Sequence, residues 1–157
     1  MRMMKFYILL AIICSIAQSV FARLGESITQ VRERYGNEVW GSTNAVPGMS
    51  YSAKFKKDEM QVELHFVEDG PGISRSVSVV FQKGNAKMFT QNELDYLLEA
   101  NAQGHKWGRA QQSLMHISWT RDDGAEAVYD SKHLLRIVTP EAKRISSEAA
   151  PRNLHGF

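Results

Sequence analysis

Three successive runs of period-two alternation constrain this chain more than any other feature. Met49, Tyr51, Ala53 and Phe55 alternate with Ser50, Ser52, Lys54 and Lys56. After a turn at Lys57-Asp58, Met60, Val62, Leu64 and Phe66 alternate with Gln61, Glu63 and His65. After Asp69-Gly70-Pro71-Gly72, Val77, Val79 and Phe81 alternate with Ser76, Ser78 and Gln82. Successive side chains of a strand point to opposite faces, so each run carries one apolar and one polar face. The turns are too short for a crossover, so neighbouring runs must be antiparallel. A meander with one face on a core and one face toward water follows.

Two helices can supply that core. Leu24, Ile28, Val31 and Tyr35 lie on one helical face, with Ser27 to Gln30 as a capping box and Gly36 as the stop. Thr90 to Glu93 is a second capping box. Phe89 and Leu94 have the spacing of a hydrophobic staple, and Leu94, Leu97 and Leu98 continue the stripe. Beyond Gly104 the period returns to two: Met115, Ile117 and Trp119, a hairpin turn at Asp122-Asp123-Gly124, then Ala125, Ala127 and Tyr129. A last strand over 133–139 ends at Pro140. Each helix is followed by a Trp-Gly pair, Trp40-Gly41 and Trp107-Gly108, which raises the possibility of a duplicated unit. The predicted fold is α+β, with two helices packed on one face of an antiparallel sheet of about five to six strands.

The first residues belong to no such domain. Arg2 and Lys5 precede an apolar run from Phe6 to Ile13, and Val20-Phe21-Ala22 offers small or modest residues for a leader peptidase. The organisation predicted is a signal peptide over 1–22, a single domain over 23–145 and a flexible tail over 146–157. The protein is expected to be exported, periplasmic or secreted, with no membrane insertion after cleavage. Cys14, the only cysteine, leaves with the leader, so the mature chain has no disulfide and no thiolate site. The chain carries 19 Lys and Arg against 17 Asp and Glu, and Arg2 and Lys5 account for the whole excess. Without a clustered basic surface, no nucleic-acid partner is expected.

The stretch Leu24-Gly25-Glu26-Ser27-Ile28-Thr29-Gln30-Val31, with Gly36 after it, reads Gly-x-Ser/Thr-x-x-x-Val. This opening resembles that of small exported bacterial domains of the BamE (SmpA/OmlA) type and of the β-lactamase inhibitory protein fold. The resemblance implies helices on one face of a sheet, an open opposite face, and the binding of proteins rather than catalysis. The chain lacks a lipobox, and its mature part lacks cysteine, so the specific activity of neither family carries over.

Motifs for chemistry are sparse. No His-x-x-x-His or Glu-x-x-His spacing fixes two metal ligands on a helix, and no Gly-x-Ser-x-Gly elbow presents a nucleophile. Asp58-Glu59 and Asp122-Asp123 sit at turns, where water screens them. No catalytic residue, metal ligand or cofactor site is assigned. The candidate site is a surface: Lys54, Glu63, His65, Ser78 and His116 on the outer, polar face of the sheet, which would take a protein partner there or along a sheet edge. Two alternatives stay open. One is a small-ligand protein or hydrolase with a site between helices and sheet, near Trp40, Trp107 and His105. The other is a structural part of an envelope assembly.

Overall fold

The computed structural model describes residues 22–43 and 45–149; the leader assigned above lies outside them, except for Ala22. Helix α1 (Ile28–Tyr35) is followed by strands β1 (Trp40–Ser42), β2 (Tyr51–Lys57), β3 (Met60–Gly70) and β4 (Ile73–Lys83). Helix α2 (Gln91–Ala100) is followed by β5 (Gln111–Gln112), β6 (His116–Thr120), β7 (Glu126–Asp130) and β8 (Leu134–Val138), and α3 (Pro140–Ala149) comes last. The eight strands form one antiparallel sheet in the order β1-β2-β3-β4-β8-β7-β6-β5. Each half is therefore a helix followed by a four-stranded meander, and the halves meet where the last strand of each pairs, Val79 opposite Ile137 and Phe81 opposite Leu135.

Both capping boxes form. The Gln30 amide donates to Ser27 Oγ at 3.3 Å and the Ser27 amide to Gln30 Oε1 at 2.8 Å. The Glu93 amide donates to Thr90 Oγ1 at 3.3 Å and the Thr90 amide to Glu93 Oε2 at 2.7 Å. Helices α1 and α2 cover the inner face. There Val31, Leu94, Leu97 and Leu98 pack on Phe55, Leu64, Phe81, Leu135 and Ile137 in one buried cluster.

The expected two helices on a sheet of five to six strands is too small an architecture. Eight strands form, because the sheet gains short edge strands, β1 with three residues and β5 with two. Neither is long enough to display an alternation. A third helix, α3, packs on the opposite face from α1 and α2. Its Ala142 and Ile145 lie against Met49, Val67, Val77 and Val138 in a second, smaller cluster. Thr139 caps α3 by accepting from the Ala142 amide at 3.1 Å, and Pro140 takes the first helical position. The sequence reading used Pro140 only as the stop of a strand, and it placed a tail from Ser146, inside α3. The outer face is therefore open over part of its area rather than all of it.

One register shift also separates expectation from structure. Phe66 pairs with Ser76 and His65 with Ser78, so Val77 is an extra residue in β4. The bulge sends Val77 to the α3 side, while Ser76 turns inward and its hydroxyl donates to the Arg23 carbonyl at 3.0 Å. Gly48 in the β1–β2 connection completes the α3 contact. Its φ is +78°, and a Cβ there would lie 2.3 Å from Ile145 Cγ2.

Phe81→Ala, which empties a fully buried site, is expected to cost about 3–5 kcal/mol. Ile145→Ala, at the partly buried α3 contact, is expected to cost about 1–2 kcal/mol. Leu114→Ala, at a fully exposed hairpin tip, is expected to change stability by less than about 0.5 kcal/mol. Urea unfolding of the three variants checks this ranking, and a neutral Ile145→Ala would remove α3 from the outer face.

Candidate functional site

The outer face can be read row by row from the strand register. The middle row runs Trp40, Lys54, Glu63, Val80, Arg136, Val128, Ser118 across β1, β2, β3, β4, β8, β7 and β6. The row nearer α3 runs Ser52, His65, Ser78, Val138, Glu126, Thr120. Helix α3 and the connection through Val46 and Met49 cover the second row at its centre. Below them a groove of about 570 Å³ stays open, floored by Glu63, Val80, Gln82, Leu134 and Arg136 and walled at the β1 side by Val39 and Lys54.

The electrostatics of this groove are unbalanced. Lys54 Nζ lies 3.3 Å from Glu63 Oε2, and it also sits 5.3 Å from the centre of the Trp40 ring. That leaves Lys56 and Arg136, both exposed, with no ionic partner among the described residues. Three cations thus face one carboxylate. Between them lies apolar floor, Val80 and Leu134, which is partly exposed. Val39, 68 % exposed, and Trp40, 40 % exposed, extend this surface to the sheet edge.

His65 stands where the groove meets a smaller hollow of about 270 Å³ under α3. Its Nδ1 lies 2.9 Å from Ser52 Oγ. Burial is the main cause that pushes its pKa down; Arg136 and Lys54 add to this, and Glu63 opposes it. A Ser–His contact invites a nucleophilic reading, but Ser52 is fully buried, so no substrate can reach its hydroxyl. The pair is a cross-strand hydrogen bond that fixes the ring.

Of the five residues assigned from sequence, Lys54, Glu63 and His65 line the groove. Ser78 is buried and faces the hollow beneath α3. His116 shares the outer face but stands on β6, four strands from His65, about 19 Å at the usual strand spacing. Its Nδ1 lies 3.1 Å from Ser113 Oγ. Sequence reasoning missed Arg136, Val80 and Leu134. The pairing of β4 with β8 brings them in, and no local pattern announces it.

The alternative site does not assemble as one place. Trp40 lies on β1 at one edge of the sheet, and Trp107 bridges to Arg121 at the other. A hollow of about 880 Å³ does lie beside Trp107, lined by Tyr96, Gln103 and His105. Polar groups in and beside it are engaged within the fold. Trp107 Nε1 donates to the Leu98 carbonyl at 2.7 Å. Buried Arg121 donates to both carboxylate oxygens of Asp123, at 2.8 and 2.7 Å, and to the Asn101 carbonyl at 2.6 Å. His105, Asp122 and Asp123 come within 4.8 Å of one another and could in geometry hold a metal ion. The Arg121 fork already uses Asp123, holding its carboxyl down at about 2, and Asp122 accepts from the Lys106 amide and faces His105 Nδ1 at 2.7 Å. These contacts form a hydrogen-bonded network at the surface.

The chain matches no protein-family model, no curated protein and no solved structure. Among the described residues no helix is long and apolar enough to cross a membrane.

Because burial depresses its pKa, His65 takes up a proton in the unfolded chain before it does so in the folded one. The stability contributed by its neutral ring is complete above about pH 6.5 and is lost as the pH falls through the lower, folded value. Unfolding free energy should therefore decline as the pH falls below about 6.5, and His65→Gln should flatten that decline. Urea unfolding at a series of pH values reads both, and an unchanged slope in the variant would contradict the burial argument.

Proposed function

We propose that this chain is an exported, non-catalytic binding module that seats an acidic, extended segment of a partner protein in the outer-face groove. The observation that carries this reading is the pair of cations, Lys56 and Arg136, which have no ionic partner among the described residues and flank an apolar floor of Val80 and Leu134. Charged groups of opposite sign would steer the partner and set its register. Val80, Leu134 and Trp40 would supply the apolar contact that makes an interface hold, Trp being the residue type most often found at energetic hot spots. The Ser52 hydroxyl beside His65 is buried, which favours binding over serine-type hydrolysis there. Protein binding is also the class of activity that the BamE-like and β-lactamase inhibitory protein-like resemblance implies. Export follows from the charged and apolar character of residues 2–13.

A photo-crosslinking amino acid placed at Gln82, inside the groove, tests this against one placed at Glu99, exposed on α2. In native envelope and medium, Gln82 is expected to give one discrete adduct and Glu99 none. The charge-reversed double variant K56E/R136E should lose that adduct while keeping its circular-dichroism spectrum. Once the partner is purified, its affinity should fall at least about tenfold in the variant and weaken with salt. An adduct from Glu99 alone, or full affinity in the variant, would move the interface off this face.

A further inference from the structure

Ala22 is fully buried and belongs to the main core. Its amide donates to the Tyr35 hydroxyl at 2.8 Å, and its carbonyl accepts from Nδ2 of buried Asn101 at 3.4 Å. Leu24 is buried too, and its amide donates to Asn101 Oδ1 at 2.9 Å. Residues 22–24 are thus threaded between α1 and the end of α2 as part of the packed domain. A leader peptidase acting after Ala22 would remove a core residue. It would also place a new ammonium on Arg23, where the Ala22 carbonyl now meets Asn101. Charge set beside buried groups is unfavourable unless it is paired. Glu26 Oε2, 2.9 Å from the Arg23 nitrogen, would offset part of this. The Ala22 packing and its bond to the Tyr35 hydroxyl would still be lost.

Three residues upstream, Ala17-Gln18-Ser19 meets the same small-residue rule for cleavage. We propose that the leader is cut between Ser19 and Val20, so that the exported protein begins Val20-Phe21-Ala22 and keeps its core intact. The step is hydrolysis of one amide by a leader peptidase of the exporting cell. Water adds across the Ser19–Val20 bond, its oxygen going to the Ser19 carbonyl, and leaves a carboxylate on Ser19 and an amine on Val20. This inference rests on the export reading above.

The test is the intact mass of the exported protein after expression of the full chain, with its own leader, in an exporting bacterial host. A product starting at Val20 is the expected result. A product starting at Arg23, or at any other residue, overturns this inference and leaves export standing. An uncut chain retained in the cell overturns the export reading and this inference with it. A second measurement does not depend on export. Purified chains starting at Val20 and at Arg23 are compared by thermal unfolding, and the shorter one is expected to melt about 3–8 °C lower. Equal melting temperatures would show that Ala22 is dispensable and remove the physical basis of the proposal.

Discussion

The pairing of β4 with β8 is the constraint on which everything else here depends. It is antiparallel and runs from Ser78 opposite Val138 to Gln82 opposite Leu134. On its inner side Val79, Phe81, Leu135 and Ile137 lie in one fully buried cluster with residues of both helices. On its outer side the same five pairs bring Val80 next to Arg136 and Gln82 next to Leu134. One seam therefore closes the core and creates the groove. Without it there would be two four-stranded meanders, each with an unpaired edge and a half-covered apolar face.

The two halves repeat one order of elements, a capped helix and then four strands. Their Trp-Gly pairs occupy comparable places, each at the outer edge of its half. Gly41 allows the Tyr51 ring to approach so closely that a Cβ would lie 1.9 Å from its hydroxyl oxygen. Gly108 donates its amide to the Thr120 carbonyl at 2.8 Å. The halves then diverge in use. The first half presents a long β3–β4 pair and, with β8, the open groove. The second has short strands, and its edge is fixed by Arg121, which joins the end of α2 to the β6–β7 turn through Asn101, Ala102 and Asp123.

Periodicity made the inner face legible. Phe55, Leu64, Phe81 and Leu97 all read as core from spacing alone, and both capping boxes named their helix starts. Three things were not legible, each for a physical reason. Edge strands of two or three residues carry no period. Helix α3 needs only Ala142 and Ile145 against the sheet, too few apolar positions to stand out, so its cap at Thr139 and Pro140 was read as a strand end. The β4 bulge inverts Ser76 and Val77, and a one-residue insertion changes facing without changing composition. The candidate site was half legible for the same reasons. Lys54, Glu63 and His65 came from alternation within a hairpin. Arg136, Val80 and Leu134 join them only through a pairing between residues some 55 positions apart, which no local rule predicts.

The central claim is that both halves form one sheet whose seam shapes the groove. Native-state amide hydrogen exchange tests it most directly. The amides of Val79, Phe81, Leu135 and Ile137 should exchange only through global unfolding, with one free energy shared by both halves. Separate exchange classes for the two helix-plus-meander halves, with fast amides along β4 and β8, would contradict it.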